Sequence, residues 1–343
     1  MRAGALAAAL AGLLAGCSLV AGPTAAPLPA RLTTDTSSPA PRAPSSSAPT
    51  PPGSATSPAR VQVSATGWSL PESLAREVVV GHGRRVVVAG GLVAGDRSTA
   101  ATYRLDLGNG LVTRLPALAV AVHDASGVRL HGQALVVGGG NATEQSAVQE
   151  LAPHGGWSVV GHLPQSRSDL VATLAGGRCV VVGGYDGVTT QASVLASGDG
   201  RSFSVVGRLP VPVRYPAVVT AGHAVWVLGG ERDGSMVDAV QRLDLATGRV
   251  RVVGRLPLAL GHAAAFWMDG RILLAGGRTS STSMTAGLWW VDPSTGAVTR
   301  AGQLPYAVSD AGAYAAGDTA YLLGGETPSL TGRVLRLTLP SSG

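Results

Sequence analysis

Arg76, His123, Asp169, Arg214, Tyr215, His262 and Asp310 include every kind of group a polar ligand site needs, and a simple spacing links most of them. A Leu-Pro pair recurs at 70–71, 115–116, 163–164, 209–210, 256–257 and 304–305. Five residues beyond each proline stand Arg76, Ala121, Asp169, Tyr215, His262 and Asp310. The second unit is irregular and carries His123 two residues further on, while Arg214 precedes Tyr215. Brought together, Arg76 and Arg214 would meet a carboxylate or sugar hydroxyls. Tyr215 offers a ring face and a hydroxyl. Asp169 and Asp310 would accept hydrogen bonds or hold one cation through oxygen ligands. The competing expectation is that these groups pair with one another or bind water, with His262 bonded to a backbone carbonyl. One histidine among aspartates is not a zinc set. His82, His131 and His223 precede apolar runs at turn-like places and read as loop residues.

Elements must position these residues, and the sequence repeats them. Short apolar runs end in paired glycines: VVVAGG (86–91), LVVGGG (135–140), CVVVGG (179–184), VWVLGG (225–230), ILLAGG (272–277) and YLLGG (321–325). Taking the last glycine of each run, the steps are 49, 44, 46, 47 and 48 residues, in phase with the Leu-Pro pairs. Two markers at one period make the body a single repetitive domain of six units. Each unit reads as four short strands separated by Asp, Asn and Gly turns. Aromatic residues are only 4% of the chain, so Val, Leu and Ala must fill the core. A four-stranded sheet of this composition would expose both apolar faces. Six arranged radially cover one another, which predicts an all-β, six-bladed propeller of antiparallel blades. The last unit stops one strand short, and RVQVSATGW (60–68) is left over at the front. That segment is expected to complete the last blade beside 333–338 and remove a free edge.

The unit resembles kelch repeats and galactose oxidase-like propellers over roughly residues 61–340. An apolar strand and Gly-Gly are followed by a Tyr/Leu-Asp strand, a turn and an aromatic or apolar strand. Tyr103, Asp106, Asp244, Asp292 and Trp157 match that pattern. Phe203, Val250 and Val298 depart from it, standing where a late tryptophan is usual. The resemblance implies architecture and leaves activity open, because such propellers include enzymes, carbohydrate binders and protein scaffolds. It does not carry copper chemistry here: the oxidase site needs a cysteine crosslinked to tyrosine, and the one body cysteine, Cys179, lies in an apolar strand. A buried free thiol is expected there.

The chain opens MRAGALAAALAGLLAGC, an apolar run too short to span a bilayer and ending in a Leu-Ala-Gly-Cys that resembles the lipobox of bacterial lipoproteins. That resemblance implies a signal peptide at 1–16 and lipidation of Cys17. Residues 17–59 are mostly Pro, Ser, Thr and Ala and are expected to form a disordered tether, leaving 60–343 as the propeller. The expected location is the outer face of the cell membrane, held by the lipid.

The formal charge of +6 shrinks once the front is set aside, since residues after Arg60 hold 22 arginines against 19 acids. There is no lysine, no basic block and no aromatic platform, which argues against nucleic acid as a partner. No GxSxG, HExxH, CxxC or GxxxxGK pattern occurs, so no catalytic residues, cofactor or metal are assigned. The loops after each Gly-Gly vary over a constant frame. The favoured expectation is therefore a non-enzymatic binding or scaffold module, its partner a cell-surface protein or an envelope saccharide. The alternative is a carbohydrate-active enzyme, of sialic acid epimerase or glycoside-processing type, acting at the central channel.

Overall fold

The structure, a computed structural model, describes residues 60–340. The expected signal peptide, Cys17 and the tether lie outside these residues. Every regular element within them is a strand, and six antiparallel four-stranded sheets account for most of them. Blades 1 to 5 take residues 78–115, 126–162, 171–208, 217–255 and 264–303. Blade 6 combines Gly312–Ala316, Thr319–Leu323 and Thr331–Thr338 with the N-terminal strand Gln62–Leu74 as its outermost member. Gln62 pairs with Thr338 and Leu74 with Thr331. The closing strand is longer than the expected 60–68 and contains the first Leu-Pro pair, which it accommodates through register shifts between Ala65 and Leu74. The first strand of each blade neighbours the first strands of the blades on either side, closing an inner ring.

Burial explains the sequence pattern. The second strand of blade 4, Ala224–Leu228, is buried at all five positions because blades cover it on both faces. A strand so placed is continuously apolar and not alternating. Outer strands such as Ser204–Arg208 are partly exposed and carry arginines. The core lies between blades: Trp226 of blade 4 packs with Ile272 and Trp289 of blade 5, and Leu135 of blade 2 with Val181 of blade 3. Each such valine or leucine, fully buried, stabilises the fold by about 1.5–3 kcal/mol. Cys179 belongs to the cluster between blades 2 and 3 as a buried free thiol, pushed up to about 12 by burial.

The glycine pairs serve the same packing. Gly229 has φ +60, and a Cβ there would lie 1.9 Å from the Leu260 carbonyl oxygen on the approach to blade 5. Gly230, at φ +113, donates its N–H to that carbonyl at 2.8 Å. The same bond joins Gly91 to Val122, Gly139 to Arg167, Gly184 to Val213, Gly277 to Val308 and Gly325 to Leu74. Every blade is thus tied to the next at its Gly-Gly corner. In the three-glycine run the pair is Gly138–Gly139, so the repeat is more regular than the last-glycine count suggests, and Gly140 is the residue after the corner.

Candidate active site

The chain enters each inner strand through a residue in the left-handed region: Arg76, Asp124, Asp169, Tyr215, His262 and Asp310, with φ between 50° and 59°. The backbone N–H of Arg76 donates to Asp310 O, Asp310 to His262, His262 to Tyr215, Tyr215 to Asp169, Asp169 to Asp124 and Asp124 to Arg76, at 2.8–3.2 Å. Six residues therefore close a hydrogen-bonded circle around the channel axis.

The Leu-Pro spacing locates five of the six. In unit 2 three extra residues follow Pro116, so the ring residue is Asp124 and neither Ala121 nor His123. His123 stands one place before the ring, as Arg214 does before Tyr215. That position bridges to the residue after the glycine pair: His123 to Gly140, Ser168 to Tyr185, Arg214 to Glu231, Gly261 to Arg278 and Ser309 to Glu326. A second set of side chains, Tyr185, Glu231, Arg278 and Glu326, therefore stands over the ring. Asp124 and this whole set were not anticipated, although their position directly after Gly-Gly is fixed in the sequence.

The two layers form one charge network. Arg76 meets Asp124 at 3.1 Å, Glu326 at 3.2 Å and Asp310 at 3.8 Å. Arg278 meets Asp310 at 3.2 Å and also pairs with Glu326. Arg214 Nε lies 3.0 Å from Asp169 Oδ2, but its N–H is not aimed at the oxygen, so that contact is ionic and not a formed hydrogen bond. Arg214 is also stacked between Tyr185 at 4.9 Å and Tyr215 at 4.8 Å. Tyr215 stacks on His262 with ring centroids 3.8 Å apart and donates its hydroxyl to Asp124 at 3.2 Å. His262 donates from Nδ1 to Asp310 at 2.6 Å, and its Nε2 faces Glu231 at 3.4 Å. It bonds no backbone carbonyl through its side chain.

Electrostatics sort these groups. Burial alone would discharge His262, but Asp310 and Glu231 outweigh it and raise the imidazole to about 9. Asp310 is likewise opposed by burial, yet His262 and Arg76 hold it well below the ordinary carboxylate range. The hydrogen bond from His262 lowers Glu231. Asp124 and Asp169 are raised to about 6, mainly by burial. Burial and then Arg76 lower His123, whose Nδ1 is 2.8 Å from Ser98 Oγ. The expectation that Asp169 and Asp310 could share a cation is corrected: guanidinium and imidazolium groups occupy them, and no set of three or more ligating side chains suits a metal among the described residues. The side chains that reach solvent at the mouth are chiefly Arg214, Arg76 and Glu326, each between 21% and 27% exposed.

No protein-family model matches the chain. N-acetylneuraminate epimerase of Pasteurella multocida (strain Pm70) is 26% identical over 157 residues, a match spanning 36% of this chain and 41% of that protein. The chain thus spans less than half the length of the curated relative it matches. The favoured expectation of a non-enzymatic binding or scaffold module is overturned by this likeness, because the relative is an epimerase named for a sugar acid. Among solved structures, that of YjhT superposes with a TM-score of 0.69 at 17% identity, covering 80% of this chain and 97% of that one. That likeness extends to the fold, and the chain is a kelch-like six-bladed β-propeller.

Proposed function

We propose that the chain is a carbohydrate-active enzyme of epimerase type, acting on an acidic sugar at the mouth of the central channel. The supporting observation is the Glu231–His262–Asp310 chain set among the guanidinium groups of Arg76, Arg214 and Arg278. Epimerisation of a free sugar at its anomeric carbon needs no redox partner. A base takes the anomeric hydroxyl proton, an acid protonates the ring oxygen, and the bond between that oxygen and the anomeric carbon breaks. The open-chain carbonyl form rotates and recloses from its other face, and the two protons return.

Glu231 suits the base. It is ionised at neutral pH because His262 donates toward it, and it stands over the ring and not in its buried layer. Asp310 fixes the imidazolium from behind, so Glu231 faces a positive charge that does not swing away. Arg214, the most exposed of the three and held between its two tyrosine faces, would receive the sugar's carboxylate. The test is nuclear magnetic resonance exchange between the two anomers of N-acetylneuraminate. Added protein should accelerate exchange above the buffer rate, and Glu231→Gln should lower the gain by about 10²-fold or more. Exchange indistinguishable from buffer, with glucuronate as well as N-acetylneuraminate, would overturn the reading.

A further inference from the structure

Beneath the ring the channel holds a hollow of about 130 Å³, lined by Asp124, Asp169, Tyr215, His262 and Asp310. The hollow continues down the axis into about 240 Å³ between the inner strands, but the closed hydrogen-bonded circle and its ion pairs stand across the entrance, so a sugar sits above the ring. On that same face a cleft of about 990 Å³ leads off to one side, between the loops of blades 6 and 1. It shares Arg76, His123 and Glu326 with the mouth, so whatever lies over the ring continues into it. The cleft is far larger than one sugar seated on the arginines requires.

Its chemistry differs from that of the mouth. The apolar surface comes from Leu92, Val93 and Leu330, and Glu72, Asp96 and Ser73 add hydrogen-bonding groups. Counting Glu326, three carboxylates face two guanidinium groups, Arg76 and Arg97. Arg76 is already committed to Asp124 and Glu326. Glu72 receives only the Tyr103 hydroxyl, at 2.7 Å, and Asp96 sits exposed on the hairpin of blade 1. Carboxylates accept hydrogen bonds from sugar hydroxyls, and aliphatic side chains pack against the C–H faces of a pyranose. A second carboxylate would meet net negative charge here. We infer that the cleft between blades 6 and 1 is a subsite for a neutral saccharide joined to the acidic sugar at the ring. This rests on the reading of the ring as an acidic-sugar site, and it adds that the protein also holds that sugar within a mixed glycan, as a ligand whose linked anomeric carbon does not undergo the exchange.

Calorimetric titration of the full chain tests this without turnover, using N-acetylneuraminate, lactose, 3′- and 6′-sialyllactose, and the α2,8-linked dimer of N-acetylneuraminate. A blocked anomeric carbon makes sialyllactose a binding probe only. One sialyllactose isomer should bind about ten-fold or more tighter than the monosaccharide, and the acidic dimer should show no such gain. Ala94→Trp, on the exposed hairpin tip lining the cleft, should bring the ratio of monosaccharide to sialyllactose dissociation constants down toward one. Asp96→Asn, which keeps a residue tolerant of the left-handed backbone at φ 52°, should narrow the disadvantage of the acidic dimer. Equal affinities for monosaccharide and sialyllactose, an equal gain for the dimer, an unchanged ratio in Ala94→Trp, or no binding of any probe would each overturn the inference. Anomer exchange is read separately. A cleft-dependent gain without exchange removes the epimerase reading and leaves the subsite, and exchange without the gain does the reverse.

Discussion

His262 is packed against Tyr215 and held between Asp310 and Glu231, and it stays charged to about pH 9. Its folded value lies above the free value of 6.5, so its contribution to stability is complete below pH 6.5 and is lost as pH rises through 9. The difference amounts to about 3 kcal/mol. Glu77 acts in an overlapping window. Burial raises it from 4.5 to about 8, so its contribution is complete below 4.5 and gone above 8. Urea unfolding midpoints should therefore fall between pH 6.5 and 9.5, and His262→Gln should remove the part of that fall above pH 8. An unchanged slope in the variant would show that the imidazole is not charged by its neighbours. Five of the six ring residues are legible from sequence because they keep a fixed offset from Leu-Pro. Asp124 is not, because three inserted residues displace it and leave His123 as the polar residue nearest the expected place. Glu231, Arg278 and Glu326 have an equally regular position after Gly-Gly, but their role depends on bridges between loop segments that no local pattern records.

At the level of elements, the Gly-Gly corner is where strand and neighbour meet. Gly229→Ala would press a methyl against the Leu260 carbonyl and hold a left-handed backbone, and should cost about 3 kcal/mol or more. Gly222 also has a left-handed φ, +57, but a Cβ there meets nothing within 4 Å. Gly222→Ala should cost only about 1 kcal/mol. Equal losses in chemical denaturation would mean that backbone conformation alone, and not blade approach, requires glycine at the corner. The apolar runs and their glycine ends are plain in sequence, since continuous burial demands continuous Val and Leu. Two small hairpins are not: Leu92–Val93 with Arg97–Ser98, and Glu231–Arg232 with Ser235–Met236. Each strand is only two residues long, too short to show an alternating pattern, so they read as plain loops, although one of them walls the cleft.

The propeller is closed twice, by the inner circle of hydrogen bonds and by the strand Gln62–Leu74 on blade 6. Deleting residues 61–69 would strip Val61 and Trp68 from their clusters and expose the edge of Thr331–Thr338. The thermal midpoint should drop by about 10 °C or more. A deletion protein that melted with the parent would show that the first blade and the last hold together without it. Six sectors and this closure were legible because two markers repeat in phase and one strand is missing at the end. The charge network was not, because it is assembled from all six units at once.

The direction of the closing strand has one more result. Inner strands run away from the circle, successive strands alternate, and Leu74 arrives beside the mouth, so Gln62 and its partner Thr338 are at the opposite pole. Arg60 and Pro340 accordingly leave the propeller from its rear. Substitutions at Arg60 or Pro340 therefore bear on the pole opposite the circle, away from the side chains of the mouth.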